Sequence, residues 1–245
     1  AERTSITDMH FHTRRLLTER LSAVRQRIDA ACRRSQRARE EVTLVAVTKT
    51  VDAGMAALLA DMGIRDLGES RPQELWKKAA AAPASVRWHL VGHLQRNKIE
   101  RTLPLVKMIH SVDSVRLLEA LEQECAKQEL RPRVLLEVNV SREEAKHGFR
   151  PEEMPALAKT FERYPHLDIA GFMSMAALAG NPEEARPTFA ALRRWRDRLR
   201  QLLGQPNALP ELSMGMTNDF EIAIEEGATL VRIGSALFEG LSEAA

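Results

Sequence analysis

A lysine at the end of an apolar, β-branched run is the first residue of the chain that could do chemistry. The run is "VTLVAVTKT", residues 42–50, and Lys49 is its cation. Burial of an amine there would disfavour the ammonium form and lower its pKa, which prepares it to form a Schiff base with an aldehyde. The alternative is a structural lysine that reaches solvent or pairs with Glu69. Lys49 is therefore a candidate nucleophile for a carbonyl ligand.

The C-terminal stretch "LSMGMTNDFEIAIEEGATLVRIGSALF", residues 212–238, holds a second group of candidates. Ser213, Gly234 and Ser235 supply hydroxyl and backbone N–H groups of the kind that bind phosphate in barrel proteins. Arg232 lies on an otherwise apolar strand, so we expect it to point inward and to need a polar partner. The alternative is that these residues are structural, with Ser and Gly in turns and Arg232 in a buried pair with a glutamate.

One ligand accounts for both groups of residues. Pyridoxal 5′-phosphate (PLP) has an aldehyde for Lys49 and a pyridine nitrogen for Arg232. Its phosphate suits Ser213 together with the amides of Gly234 and Ser235. These residue types therefore predict PLP as the cofactor.

Short runs rich in Val, Ile and Leu alternate with longer amphipathic segments along the chain. Nearly continuous apolar strands separated by helices indicate a parallel sheet that is covered on its outer face. Eight such units predict an α/β fold of the (β/α)8 TIM barrel class, with an open doubly wound sheet of six or seven strands as the alternative. Strands are predicted at 42–49, 64–69, 86–92, 107–112, 133–140, 167–175, 211–215 and 230–234. Helices are predicted at 51–62, 71–81, 95–103, 114–129, 151–163, 183–203 and 218–226.

An arginine-rich segment precedes the first predicted strand. Leu17, Leu21, Val24 and Ile28 have the spacing of an amphipathic helix with one buried stripe. No Gly-, Ser- or Pro-rich linker divides the chain. We therefore expect a single cofactor-binding barrel domain over residues 1–245, with an extra N-terminal helix (1–40) packed on the barrel.

Composition excludes several classes of partner. With 36 basic and 34 acidic residues the formal charge is +2, which does not indicate binding to nucleic acid or to an anionic membrane. The sequence lacks an apolar run of the roughly 18 residues that a membrane span requires. Cys32 and Cys125 form neither a CxxC pair nor a disulfide framework, which fits a reducing compartment and predicts a cytoplasmic location.

Seven motifs along the chain resemble those of the pyridoxal phosphate homeostasis protein family, the single-domain relatives of the alanine racemase N-terminal barrel. They are "LVAVTKT", "GESRPQE", "WHLVGHLQRNK", "IHSVDS", "VNVSREEAKHGF", "GFMSM" and the C-terminal stretch quoted above. They run in the family's order from about residue 42 to 240. The resemblance implies a barrel of the alanine racemase N-terminal type.

The resemblance also implies roles for individual residues. Lys49 would be the Schiff-base lysine and Arg232 would face the pyridine nitrogen, while Ser213, Gly234 and Ser235 would hold the phosphate. Two further positions complete the predicted site: Lys146 matches a second lysine near the cofactor mouth, and Ser70 stands where the family usually has Asn.

The same residues argue against strong catalysis. An arginine beside the pyridine nitrogen disfavours its protonation and weakens the ring as an electron sink. Racemisation also needs a second acid/base group, which in alanine racemases, as the resemblance implies, is a tyrosine from a second domain. The only tyrosine here, Tyr164, precedes the sixth predicted strand and so is expected at the bottom of the barrel. Lys146, His93 and His147 are the other candidates, and each is more simply explained as a surface or structural residue.

The predicted function is therefore a protein that holds PLP and acts in its homeostasis and delivery, with PLP-dependent apoenzymes as possible acceptors. A barrel-type PLP-dependent amino-acid racemase or decarboxylase is the alternative. A phosphosugar enzyme that uses Lys49 as an aldolase-like amine is a third possibility. The sequence leaves the oligomeric state, monomer or dimer, open.

Overall fold

Eight parallel strands close into a barrel in the computed structural model, which describes residues 6–141, 147–177 and 180–241. Neighbouring strands pair in chain order, and the last pairs with the first. The strands are β1 (Thr43–Val47), β2 (Asp66–Glu69), β3 (Arg87–Leu90), β4 (Val106–Val112), β5 (Arg133–Glu137), β6 (Asp168–Met173), β7 (Glu211–Ser213) and β8 (Leu230–Ile233). All eight predicted strands are present, and the closed barrel excludes the open doubly wound sheet.

Helices follow the strands and cover the outside of the barrel. They are α1 (Ile6–Arg34), α2 (Ala53–Asp61), α3 (Pro72–Ala81), α4 (Ile99–Thr102), α5 (Val115–Gln128), α6 (Met154–Ala158), α7 (Arg186–Leu203), α8 (Phe220–Glu225) and α9 (Ser235–Phe238). Short 3-10 turns lie at Arg39–Glu41, Arg96–Lys98, Leu103–Leu105, Pro151–Glu153, Phe161–Arg163 and Pro182–Ala185.

Two predicted helices are broken in the structure. Residues 95–103 form only α4 flanked by 3-10 turns, and residues 151–163 form α6 between two further turns. Pro104 directly follows the first segment and Pro155 lies in the second, and a proline lacks the N–H that continues a helix. A continuous helix was therefore wrong at both places.

Strand alternation sorts side chains between the barrel interior and the helical layer. In β1, Val45 belongs to a small interior cluster, whereas Leu44 and Ala46 belong to the larger core beneath the helices. The interior cluster contains Val45, Met108, Leu135, Ala170, Met173 and Leu230. Four buried polar residues share alternating positions with it: His89, His110, Ser213 and Arg232. The interior is therefore partly polar, where an apolar filling is the norm.

Helix α1 packs on the last units of the barrel. Leu17, Leu21, Val24 and Ile28 are all buried, as their spacing predicts, and the helix contacts α8 and α9. Arg20 Nη1 donates to the carbonyl of Leu237 at 2.9 Å. No helix among the described residues is long and apolar enough to cross a bilayer.

Candidate functional site

A cavity of about 540 Å³ opens where several strands of the barrel end. Its volume lies within the range of small-molecule sites. Five of the seven predicted site residues line it: Lys49, Ser70, Arg232, Gly234 and Ser235. These residues follow or end β1, β2 and β8, so barrel closure brings the two ends of the chain together here.

Lys49 is exposed in this cavity, so the expected burial of its side chain is wrong. The reason is local, because β1 ends at Val47 and leaves Lys49 on the loop beyond the barrel wall. Its ammonium makes no hydrogen bond or ion pair with any other residue that the structure describes. An amine placed in this way is accessible to a ligand from solvent.

A buried ion pair holds the backbone on which Lys49 is mounted. Lys78 Nζ, from α3, donates to Glu69 Oε2 at 2.6 Å and to the carbonyl of Thr48 at 2.7 Å. Glu69 Oε1 also accepts from the N–H of Ser70 at 2.7 Å. Glu69 is therefore the partner of Lys78, and the alternative pairing with Lys49 is not observed. The pair fixes the ends of β1 and β2 at the point where Lys49 and Ser70 enter the cavity.

The loop after β7 and the start of α9 form the neighbouring wall, because β8 pairs with β1. The hydroxyl of Thr217 accepts from the N–H of Ala236 at 3.2 Å, and Asp219 Oδ1 accepts from the N–H of Met216 at 2.7 Å. Gly215 gives this loop its shape, because it has φ +93° and a Cβ there would lie 2.8 Å from Phe220 Cα. The loop thereby presents Thr217 beside Gly234 and Ser235.

Arg232 points into the barrel, as predicted. Its Nη1 donates to Ser213 Oγ at 2.6 Å and its Nη2 donates to the carbonyl of Ser174 at 3.1 Å. The partner is thus a serine, where the alternative interpretation had a glutamate. Burial lowers the pKa of Arg232 to about 10, against the opposing effects of Asp219 and Glu137, so the guanidinium stays charged at neutral pH.

Ser213 lies below the cavity rather than on its wall. The side chain is fully buried, and its hydroxyl contacts Arg232 and, at 2.7 Å, His110 Nδ1. It ends β7 on the inward side, which places it one layer deeper than Gly234 and Ser235. A contact between Ser213 and a phosphate stays a prediction.

A chain of hydrogen bonds continues from Ser213 through the barrel interior. His110 Nε2 lies 2.9 Å from His89 Nδ1, and His89 Nε2 lies 3.0 Å from Asp66 Oδ1. Burial, with smaller effects of His89 and Arg232, holds the pKa of His110 well below its usual range, so this ring is neutral. Neutral His110 can accept from the Ser213 hydroxyl at Nδ1 and donate from Nε2 to His89, whose own Nε2–H can donate to Asp66.

Asp66 anchors the lower end of this chain. Burial raises the pKa of Asp66, but hydrogen bonds from Arg87 and His89 outweigh that effect and lower it to about 2. The carboxylate is therefore ionised and accepts from both partners. Through the side chains of His89, His110 and Ser213 it fixes the orientation of Arg232 below the cavity.

Sequence reasoning missed His89, His110 and Lys78. The two histidines stand in the apolar runs "VRWHLVG" and "KMIHSV", where strict alternation assigns them to the inner face. That signal was present in the sequence. Lys78 carried a weaker signal in the sequence, since it directly precedes a run of alanines. The structure shows that Lys78 is buried while Lys77 beside it is exposed.

The remaining predicted residues lie elsewhere. Lys146 is outside the described residues. Tyr164 is buried before β6 and does not line the cavity. His93 and His147 lie at the mouth near Asp113, away from the cavity wall.

One further acid lies near this group. Burial, then the nearby Asp113 carboxylate, raise the pKa of Glu137 to about 7 at the end of β5.

Comparison with known proteins identifies the family of this chain. The model of the alanine racemase N-terminal domain family matches residues 20–242. The pyridoxal phosphate homeostasis protein of Aquifex aeolicus is 40% identical over 90% of this chain and 96% of that protein. The human protein of the same name is 34% identical over 89% of this chain and 84% of that protein. The chain belongs to the pyridoxal phosphate homeostasis protein family.

Solved structures agree with this family. PipY of Synechococcus elongatus, solved with PLP bound, is 32% identical and superposes with a TM-score of 0.77 over 91% of this chain and 99% of that one. An alanine racemase of Clostridium difficile is 15% identical, with a TM-score of 0.71 over 91% of this chain and 56% of that one, so it shares the fold. The resemblance of the sequence motifs to the homeostasis family and the barrel of alanine racemase type are both confirmed.

Proposed function

We propose that this chain binds PLP as a Schiff base on Lys49 and serves in intracellular PLP homeostasis and delivery, without strong catalytic activity. The observation that carries the proposal is one cavity in which an exposed amine, a buried guanidinium and the start of α9 meet. An amine, a guanidinium and backbone amides suit the aldehyde, the pyridine nitrogen and the phosphate of PLP. Relatives named for PLP homeostasis, and PipY with its bound PLP, support the same cofactor.

Lys49 would supply the attachment point. When bound, PLP would supply an aldehyde carbon with which the Lys49 amine could condense reversibly. Among the described residues no carboxylate pairs with the Lys49 amine, so the amine is accessible to the carbonyl. Its exposure favours both entry and release of a ligand, which is what a carrier requires.

Phosphate would be held at the end of β8, next to β1, by Gly234 and Ser235. We add Thr217 to this group, because its hydroxyl lies against the same turn and lines the cavity. Ser213 is the one predicted ligand whose position favours another role. Its hydroxyl already contacts Arg232 and His110, so in this proposal it orients the guanidinium.

Arg232 would limit the chemistry. A guanidinium that remains charged beside the pyridine nitrogen opposes protonation of that nitrogen, and stabilisation of a carbanion suffers accordingly. The hydrogen-bond chain from Asp66 to Ser213 holds Arg232 in that orientation. Of the acids lining the cavity, Asp219 is bonded to the Met216 amide and Glu239 lies exposed at the rim. Neither has the placement of a dedicated acid/base group.

A transfer and exchange experiment tests the proposal. Holoprotein is mixed with a PLP-dependent apoenzyme, and the activity gained by the acceptor is followed. In parallel, holoprotein is incubated with L-alanine and other L-amino acids in deuterated buffer, and α-proton exchange is followed by NMR. We expect transfer to the acceptor and no multiple-turnover exchange.

The outcomes separate the competing functions. Sustained exchange at the α-carbon would establish the racemase or decarboxylase alternative. A holoprotein that never activates an acceptor would remove the delivery role. PLP-dependent apoenzymes as acceptors stay predictions, as does the cytoplasmic location, which the two buried free cysteines support.

A further inference from the structure

A second cluster of ligand-forming side chains lies at the barrel mouth, outside the cofactor cavity. His93 Nδ1 is 3.1 Å from Asp113 Oδ2, and His147 Nδ1 is 4.0 Å from the same oxygen. The two imidazoles stack with centroids 5.2 Å apart and an interplanar angle of 26°. Among the described residues, these three side chains form the one group whose ligand atoms all lie within 4.8 Å of one another.

The fold brings these side chains together from three consecutive units. His93 follows β3, Asp113 follows β4 and His147 precedes the segment that returns to β5. Asp113 directly precedes Ser114, whose hydroxyl caps α5 by accepting from the N–H of Leu117 at 3.3 Å. This cap fixes the chain that carries the carboxylate.

His147 is held by the backbone that follows it. The N–H of Phe149 donates to the carbonyl of Glu137 at 2.8 Å, and the N–H of Asn139 donates to the carbonyl of Phe149 at 2.9 Å. Gly148 allows this close approach, because it has φ +117° and a Cβ there would lie 2.8 Å from the carbonyl oxygen of Glu137. The bridge aims the residue before Gly148 at the mouth.

We propose that His93, Asp113 and His147 form a binding site for a divalent transition-metal ion, Zn²⁺ in particular, with a fourth position open to water or another ligand. Zinc accepts imidazole nitrogen and carboxylate oxygen at about 2.0–2.2 Å, which places tetrahedral ligands about 3.3 Å apart. The observed donor spacing needs only small side-chain rotations to meet that value. Two imidazoles favour Zn²⁺ over Ca²⁺ or Mg²⁺, which prefer oxygen ligands.

Exposure of the cluster favours entry of a metal ion. His93 and His147 are 52% and 72% exposed, whereas Asp113 is 10% exposed. The carboxylate is thus fixed in the wall while the two rings cover it from solvent. An ion bound here would join the loops that follow β3, β4 and β5, and it would leave the amine of Lys49 free.

Isothermal titration of the tag-free full chain with ZnCl₂ tests the proposal. We expect one site per chain, and a loss of affinity of at least tenfold in His93→Ala and in His147→Ala. Both residues are exposed, so these variants should fold. His166→Ala is the matched control, since this exposed histidine pairs with Glu122 at 2.7 Å away from the cluster and its removal should leave the affinity unchanged.

Substitution with Co²⁺ gives an independent measurement. Visible d–d absorption of a tetrahedral Co²⁺ complex should appear with the wild-type chain and disappear in His93→Ala. Zinc affinity that is equal in wild type, His93→Ala and His147→Ala would overturn the proposal, because the ion would then lie elsewhere. Absence of binding to the wild-type chain would overturn it as well.

Discussion

The interior of the barrel and the rim around Lys49 adjoin each other but are built in opposite ways. Within the described part of the chain, every buried side-chain nitrogen and oxygen has a hydrogen-bond partner. At the rim, the amine of Lys49, which the proposed function requires, has no partner among those same described residues. Two lysines make the contrast plain: Lys78 is buried against Glu69, while Lys49 is exposed next to the carbonyl that Lys78 holds. The buried contacts below the rim thus hold the backbone that carries Lys49 in place and leave its amine accessible.

The largest effect on stability is expected from the buried lysine. Lys78→Met leaves the Glu69 carboxylate buried without its cation, and breaking such a pair costs about 3–5 kcal/mol of the free energy of unfolding. Urea unfolding followed by circular dichroism measures this. Lys77→Met is the control, because its pair with Glu74 is exposed and worth under about 1 kcal/mol. Equal losses in the two variants would contradict the contrast between interior and rim.

A smaller effect is expected from the acid at the lower end of the chain. The pKa of Asp66 is lowered to about 2 in the folded state, so its contribution is present above its unfolded value near 3.8 and is lost as the pH falls towards 2. The full contribution is about 2 kcal/mol. The stability difference between wild type and Asp66→Asn should therefore be constant from pH 7 to 5 and shrink below pH 4. A difference that is independent of pH down to 3 would refute the assignment.

The smallest effect is expected from the hydroxyls of Thr217 and Ser213, which lie near the proposed phosphate site. Loss of one hydrogen bond, about 1 kcal/mol, weakens binding about fivefold. Thr217→Ala should weaken the binding of PLP but not the binding of pyridoxal, which lacks the phosphate. Ser213→Ala should weaken both alike, since it acts through Arg232. The measurement is a pair of dissociation constants for each variant. A phosphate-selective loss in Ser213→Ala would instead restore that residue as a phosphate ligand.

Much of the fold followed from local pattern, since β-branched runs alternating with amphipathic segments located all eight strands. Arg232 was placed inward by the same alternation. Pro104 and Pro155 are present in the sequence, but their effect on the two helices depends on where each helix must end. Contacts across the barrel were beyond local pattern, because the bonds from Ser213 to His110 and from His110 to His89 depend on strand register and closure.

Position within the site was harder to predict than membership of it. Lys49, Ser70, Arg232, Gly234 and Ser235 meet at one cavity, as barrel closure requires. The exposure of Lys49 depends on a difference of two residues in where β1 ends, which periodicity does not resolve. The depth of Ser213 depends on the direction of the last residue of β7.

Reduction of the holoprotein with borohydride, followed by peptide mass spectrometry, tests the central claim most directly. The account predicts one reduced PLP adduct per chain, located on Lys49, and none in a folded Lys49→Ala variant. Because Lys49 is exposed, that variant should keep wild-type stability. An adduct on Lys78 or Lys146, or an equal yield of adduct from Lys49→Ala, would contradict the account.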